Sequence, residues 1–228
     1  MGILWLVDRR PPLGGFTAVP ANSAQNRVID ATTWLGSPPR RLSEMVADAR
    51  RNPPRPCTLI RLVSHGSAGH MQMGEGLHYG TVGQLAGLRG LVRNDRQHAT
   101  VEIHGCGVAS SFLPAPVVTN IRGFNNDVVE QRVAYPQGQL QGGSGWGSEE
   151  PTLQSSTGIR FLLAVARLLG VGVKAGVNYQ WSDANWQYEG PTVTVLHGMF
   201  GPVVRLEDSA NQLGFGPVHE FSVPRYFQ

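Results

Sequence analysis

Only two cysteines, Cys57 and Cys106, occur in 228 residues, too few for a disulfide framework. No run approaches the ~20 consecutive apolar residues of a membrane span. No lysine/arginine run interleaved with aromatics, the footprint of nucleic-acid binding, is present either. The opening MGILWLVDRR is too short for a signal-peptide core and carries its charge on the wrong side. Leu6 stands where a myristoylation signal following Gly2 wants Ser or Thr. These absences predict a cytoplasmic, reducing setting with no nucleic-acid or membrane partner, although leaderless export would leave no trace. The charge excess is small, +3 from 19 basic and 16 acidic residues. Arg50, Arg51, Arg55 and Arg61 form the densest basic patch, read as solvated surface with an anion site as the alternative.

What is present is a single-domain length with an ordinary 41% hydrophobic content, and with 29 Gly and 16 Pro that imply many turns and long loops. Two stretches repeat one pattern. LIRLVSHGSAG (Leu59 to Gly69) places His65 just past an apolar run, and TVEIHGCGVAS (Thr100 to Ser110) places Cys106 just past another. Each run is short, rich in β-branched residues and closed by glycine, as a buried parallel strand is when it opens into a functional loop. Two such neighbours bring a His and a Cys to one edge of the sheet, the edge where open α/β sheets bind ligands.

The other elements follow in order. Ile3 to Val7 reads as a first core strand ending at Asp8, and Arg27 to Ala31 as a short strand. Leu42, Met45, Val46 and Ala49 line one side of a helix capped by Ser43 and stopped by Pro53 and Pro54. HMQMGEGLHYG alternates like a small hairpin, and Thr81 to Val92 repeats Leu at the spacing of a crossover helix. Residues 111–156 carry no convincing period and are expected to be a functional loop or disordered. Helical spacing returns at Ile159 to Leu169, capped by Ser156 or Thr157 and closed by Gly170. A strand at Val171 to Val177, a hairpin in PTVTVLHGMFGPVVRLED and a strand near Val218 to Val223 complete the chain. The expected domain is thus residues 1–228, with a long insertion at 111–156 and a β extension at about 190–223.

At SHGSAGHMQMGEG, HGCGVAS and the TG-x-x-FLLAVARLLGVGV helix–strand, the sequence resembles the caspase-like (clan CD) cysteine peptidases. More narrowly it is similar to a bacterial caspase-like domain family, and more distantly to the self-processing protease domains of bacterial toxins. The resemblance covers about residues 58–110 and 157–178. It implies a three-layer α/β/α sandwich around a mainly parallel sheet, with no cofactor and no metal. It also implies His65 as catalytic histidine, Cys106 as nucleophile, and the backbone N–H groups of Gly66 and Cys106 as the oxyanion hole. Gly105 stands where caspases have Ala, and the 41 positions from His65 to Cys106 are fewer than their ~50.

The residue types suit that chemistry. A thiol is a weak acid but an intrinsically strong nucleophile. Its histidine must face the leaving nitrogen and need not grip the sulfur beforehand. Bland readings stand beside this one. A cysteine after a strand is commonly a core residue, and Cys57, at the start of its strand, is read as one. His197-Gly198 is a decoy read as a turn, and His104 points to the opposite face of its strand or into it. A zinc site from His65, His70, His78 and Cys106 lacks paired ligand spacing. In NYQWSDANW, Asp183 would pair with a basic P1 side chain of a protein or peptide substrate. Tyr179, Trp181 and Trp186 would equally build an apolar pocket or belong to the core. The function expected is a cysteine endopeptidase, with self-processing as an extension. The alternatives are a non-catalytic scaffold of the same fold and an effector-gated toxin-type protease; the oligomeric state is left open.

Overall fold

The computed structural model describes residues 1–9, 19–31, 39–67, 69–105, 107–109, 117–122, 128–134, 157–177, 186, 188, 192–198, 201–207 and 218–222. In chain order the elements are β1 (Gly2–Val7), β2 (Asn26–Asp30), α1 (Leu42–Arg51), β3 (Cys57–Val63), β4 (Gly66–Ser67), β5 (His70–Met71) and β6 (Leu77–His78). A 3-10 helix (Val82–Leu88) and β7 (Val101–His104) follow, then β8 (Val117–Arg122), β9 (Val128–Ala134) and α2 (Thr157–Leu169). The chain closes with β10 (Val173–Gly176), β11 (Thr192–Gly198), β12 (Gly201–Glu207) and β13 (Val218–Ser222).

Alternation along the strands sorts the side chains between two faces. Leu4 and Leu6 of β1, Ile60 and Leu62 of β3, Val101 and Ile103 of β7, and Val173 and Ala175 of β10 enter one core with α1, the 3-10 helix and α2. Trp5, Val7 and Val63 turn the other way and pack with Trp186. The chain is an α/β protein built on an eight-stranded sheet of order β13-β12-β11-β10-β7-β3-β1-β2. From β2 to β10 the neighbours are parallel, and β11 to β13 add antiparallel strands at one edge. Strand order reverses at β1, which has β2 on one side and β3 on the other. The carboxyl ends of β1 and β3 therefore flank a switch point, where such sheets form a crevice.

The helices arise where apolar residues recur at turns of a helix. Leu42, Met45, Val46 and Ala49 are the buried residues of α1. Its N-terminus is not capped by Ser43, which lies inside the helix. Instead the Arg41 N–H donates to Glu44 at 3.3 Å, and the Leu42 N–H to Glu75, 33 residues away, at 2.8 Å. Burial pushes the Glu75 carboxyl up, but the N–H groups of Leu42 and Glu75 itself, with Gln84 and the charge of Arg41, together outweigh this and hold it below the usual glutamate value. The expected crossover helix at 81–92 is a shorter 3-10 helix. Leu85 and Leu88, its buried residues, eclipse at a spacing of three. Gly87 lies so close to Val46 of α1 that a Cβ there would meet its Cγ1 at 2.6 Å. The insertion contains a β-ribbon, β8 paired with β9, where a loop had been expected; its β-branched runs VVTNIR and VVEQRVA suit extended backbone. The rest of the insertion lies outside the described residues.

Gly74 joins three parts of the fold. Its φ is +58°, its N–H donates to Asp8 Oδ2 at 2.9 Å, and a Cβ on it would stand 2.6 Å from the Leu42 nitrogen. Gly90 has φ +81° but open space around it. Gly90→Ala is expected to cost the backbone strain alone, about 1–2 kcal/mol, and Gly74→Ala roughly twice that or more, because a backbone nitrogen cannot move aside. Denaturant melts of the two variants check this; equal losses would mean that the turn yields freely.

Candidate functional site

Two loops meet at the carboxyl edge of the sheet. β3 and β7 pair in parallel with Val63 opposite His104, so the chain leaves both strands at the same height. Beyond them the Ser64 N–H donates to the His104 carbonyl at 3.1 Å, and the Gly69 N–H to the Val108 carbonyl at 3.0 Å. Ala109 is tied in turn to the Gly176 carbonyl at the end of β10, at 3.0 Å. Between these ties the backbones nearly touch. A Cβ on Gly105 would lie 2.8 Å from Val108 Cγ2, 3.2 Å from the Ser64 oxygen and 3.3 Å from Gly66 Cα. Glycine at 105 is thus required by close approach, which gives a physical reason for the departure from alanine.

His65 follows β3 and is half-buried, while its Nε2 is fully covered and has no hydrogen-bond partner among the described residues. Burial lowers its pKa from the ordinary histidine value, and the charge of Asp8 opposes that shift. Asp8 sits at the end of β1, buried, with its N–H on the Val63 carbonyl at 2.8 Å and its carboxylate on the Gly74 N–H. It therefore joins His65 at the switch point between β1 and β3. The position was legible as the end of a strand, but its bearing on His65 needed the strand order.

The backbone after His65 has a defined polarity. β4 and β5 are antiparallel with Gly66 opposite Met71, and the Gln72 N–H donates to the His65 carbonyl at 2.8 Å. That bond makes His65 and Gln72 the hydrogen-bonded pair. Gly66 and Met71 form the next, non-hydrogen-bonded pair, so the Gly66 N–H points away from the hairpin. Among the described residues it meets no acceptor, and an oxyanion donor must point outward in this way. Cys106 lies outside the described residues, between the described Gly105 and Gly107. Asp183, Trp181 and Tyr179 also lie outside them.

Trp186 is described. It has φ +57° and is 6% exposed, its ring edge-on to Trp5 at 4.8 Å and to His104 at 5.3 Å. A ligand reaching that ring would have to displace these contacts. Beneath it runs a partly buried charged chain that local pattern alone did not reveal. Arg61 Nε donates to Glu102 Oε2 at 2.7 Å, and His104 Nε2 lies 3.2 Å from the same oxygen. Tyr188 stacks on His104 at 4.6 Å and donates its hydroxyl to the Lys174 carbonyl at 3.0 Å. Burial holds the His104 pKa down despite Glu102. Burial also pushes Glu102 up, but the His104 and Arg61 contacts reverse this and leave it below its usual value. The state is Arg61 cation, Glu102 anion and neutral His104 donating from Nε2. Period-2 alternation, which puts Glu102 and His104 on the same face, was the available signal. The chain also corrects the basic patch, since Arg61 lies against Trp5 at 4.8 Å and is no part of a surface cluster with Arg50.

The remaining candidates are placed as follows. His197 lies within β11, not in a turn, with Nε2 2.8 Å from the Ala166 carbonyl of α2. Cys57 begins β3 and is half-buried, and burial pushes its thiol pKa up. His70 and His78 stack at 6.1 Å across β5 and β6. Among the described residues no group of three or more His, Cys, Asp or Glu is arranged to hold a metal ion, and no helix is long and apolar enough to cross a membrane.

Asp8→Asn keeps an oxygen for the Gly74 N–H and removes the charge. The His65 pKa, already below ~6.5, is expected to fall further, because the carboxylate was the influence raising it. Titration of the ring proton by NMR at pH 4–8 reads this directly; an unchanged or raised value would show that Asp8 does not act on His65.

Comparisons with protein-family models, with curated proteins and with solved structures found no match to this chain.

Proposed function

We propose that the chain is a cysteine endopeptidase of the caspase-like kind, with Cys106 as nucleophile and His65 as general acid and base. The observation carrying this reading is the approach of Gly105 to Gly66, which brings together the loops bearing the two residues. The Nε2 of His65, without a partner among the described residues, and the outward N–H of Gly66 support it. A cytoplasmic, reducing setting that keeps the thiol free belongs to the same proposal.

In this mechanism His65, neutral at pH 7 because burial depresses its pKa, takes the Cys106 proton as the sulfur attacks the scissile carbonyl. The carbon–sulfur bond forms and the oxyanion is received by the N–H groups of Gly66 and Cys106. Each such donor contributes about 3 kcal/mol of transition-state stabilisation. His65 gives its proton to the amine nitrogen as the carbon–nitrogen bond breaks, leaving a thioester. Water then attacks the thioester, losing a proton to His65. The carbon–sulfur bond breaks, and the returning proton restores the dyad as the acid product leaves. The charge of Asp8 at the end of the adjacent strand favours the protonated form that His65 takes during the reaction. In this reading Asp183 sets a preference for a basic P1 side chain or Trp181 for an apolar one, while Trp186, packed in the core against Trp5 and His104, takes no part.

Cys106→Ala and His65→Ala are each expected to reduce cleavage of a fluorogenic peptide library by ~10³-fold or more while leaving the melting transition in place, because the two act as a unit. His197→Ala should leave turnover within a few-fold. Retained turnover in Cys106→Ala would overturn the proposal.

A further inference from the structure

A cleft of about 780 Å³ opens at the amino-terminal ends of β3 and β7, at the opposite end of the sheet from His65. Seven residues of β3 at ~3.3 Å each separate the two edges by about 20 Å. The cleft falls within the ~300–1,000 Å³ range of small-molecule sites. Cys57 at the start of β3, Thr100 just before β7, and Leu91, Arg93, Asp95 and Arg96 of the intervening loop form its walls.

Three features give this cleft a chemistry. First, Arg93 and Arg96 are exposed and make no ion pair among the described residues, unlike Arg51, Arg61 and Arg40, which all have carboxylate partners. Second, the acid on the same wall is already occupied. Asp95 accepts the N–H groups of Gln97 at 2.8 Å and His98 at 3.1 Å, and pairs with the His98 ring at 3.3 Å. The Gln97 N–H, with the His98 contacts, outweighs the small effect of burial and holds the Asp95 carboxyl below the usual aspartate value, so it stays committed as an anion. Third, Thr100 is only 9% exposed, and its Oγ1 is covered and has no hydrogen-bond partner among the described residues. A buried hydroxyl left unmatched beside a cleft is a group that a ligand satisfies.

We propose that this cleft binds a small organic phosphate, with Arg93 and Arg96 on the phosphate oxygens, Thr100 completing the polar wall and the ligand's apolar body on Leu91. Guanidinium groups match phosphate geometry in a two-pronged way that an ammonium cannot. The site is independent of the peptidase reading, since none of its residues lies at the carboxyl edge.

Cys57 supplies the readout. In a Cys106→Ala background it is the chain's one thiol, and its alkylation by neutral iodoacetamide can be timed by intact mass. Inorganic pyrophosphate is expected to slow this labelling saturably, with an apparent affinity that weakens as salt is raised. Adenosine monophosphate should protect at several-fold lower concentration than pyrophosphate, and adenosine should not protect. Arg93→Ala/Arg96→Ala should weaken both phosphates at least tenfold, and Thr100→Val should weaken them by a few-fold without lowering the melting temperature. Absence of protection by pyrophosphate, or equal protection in the double variant, overturns the site. Adenosine monophosphate binding no tighter than pyrophosphate overturns the role given to Leu91.

Discussion

The contact between the backbones at Gly66 and Gly105 sets the spacing of everything at the carboxyl edge of the sheet. A side chain at 105 would strike Val108 and press on the Ser64 carbonyl and Gly66, so the two loops run close together. That approach depends on β3 and β7 being paired in parallel at a register that ends both together. It depends equally on the lacing of Ser64 to His104 and of Gly69 to Val108. Loops held from both sides in this way are preorganised, which is what a catalytic constellation needs. The same constraint leaves the Gly66 N–H turned away from the β4–β5 hairpin.

A second support lies under the β7 strand that leads to this loop. His104 precedes Gly105 and is locked between Tyr188 and Trp186 while it bonds Glu102. Glu102 is held in turn by Arg61 from β3. A buried chain of this kind is costly if one partner is lost, since an uncompensated charge remains in a poorly solvated place. It ties β3 to β7 through side chains as well as through the ladder, and it fixes where the last residue of β7 sits. Among the described residues the helical face of the sheet is mainly apolar, whereas this face combines charge with aromatic rings. Stability and positioning are thus divided between the two faces.

Much of the frame was legible because short β-branched runs bounded by glycine have few alternatives. The strands carrying His65 and the Cys106 loop, the small hairpin after His65, α1, α2 and the β11–β12 hairpin all follow from local pattern. What was not legible depends on residues far apart in the chain. Glu75 caps α1 from 33 residues away, where the local pattern pointed to Ser43. The 3-10 helix is not distinguished from an α-helix by local pattern, because Leu85 and Leu88 at a spacing of three suit both periods. Arg61 looked like surface by its neighbours in sequence, yet alternation in β3 places it on the sheet face opposite Glu102. Asp8 became relevant to His65 only once β1 was known to lie beside β3.

A nucleophile in the loop after β7, served by His65, would betray itself by its reactivity. The most direct measurement is covalent labelling of the full chain by a peptidyl acyloxymethyl ketone, read by intact mass and peptide mapping, with Cys57 as the internal control. A single rapid adduct on Cys106 near pH 7, lost in His65→Ala, is expected, while Cys57 reacts far more slowly because burial raises its thiol pKa. Labelling of Cys57 in preference to Cys106, or a Cys106 rate unchanged by His65→Ala, would contradict it.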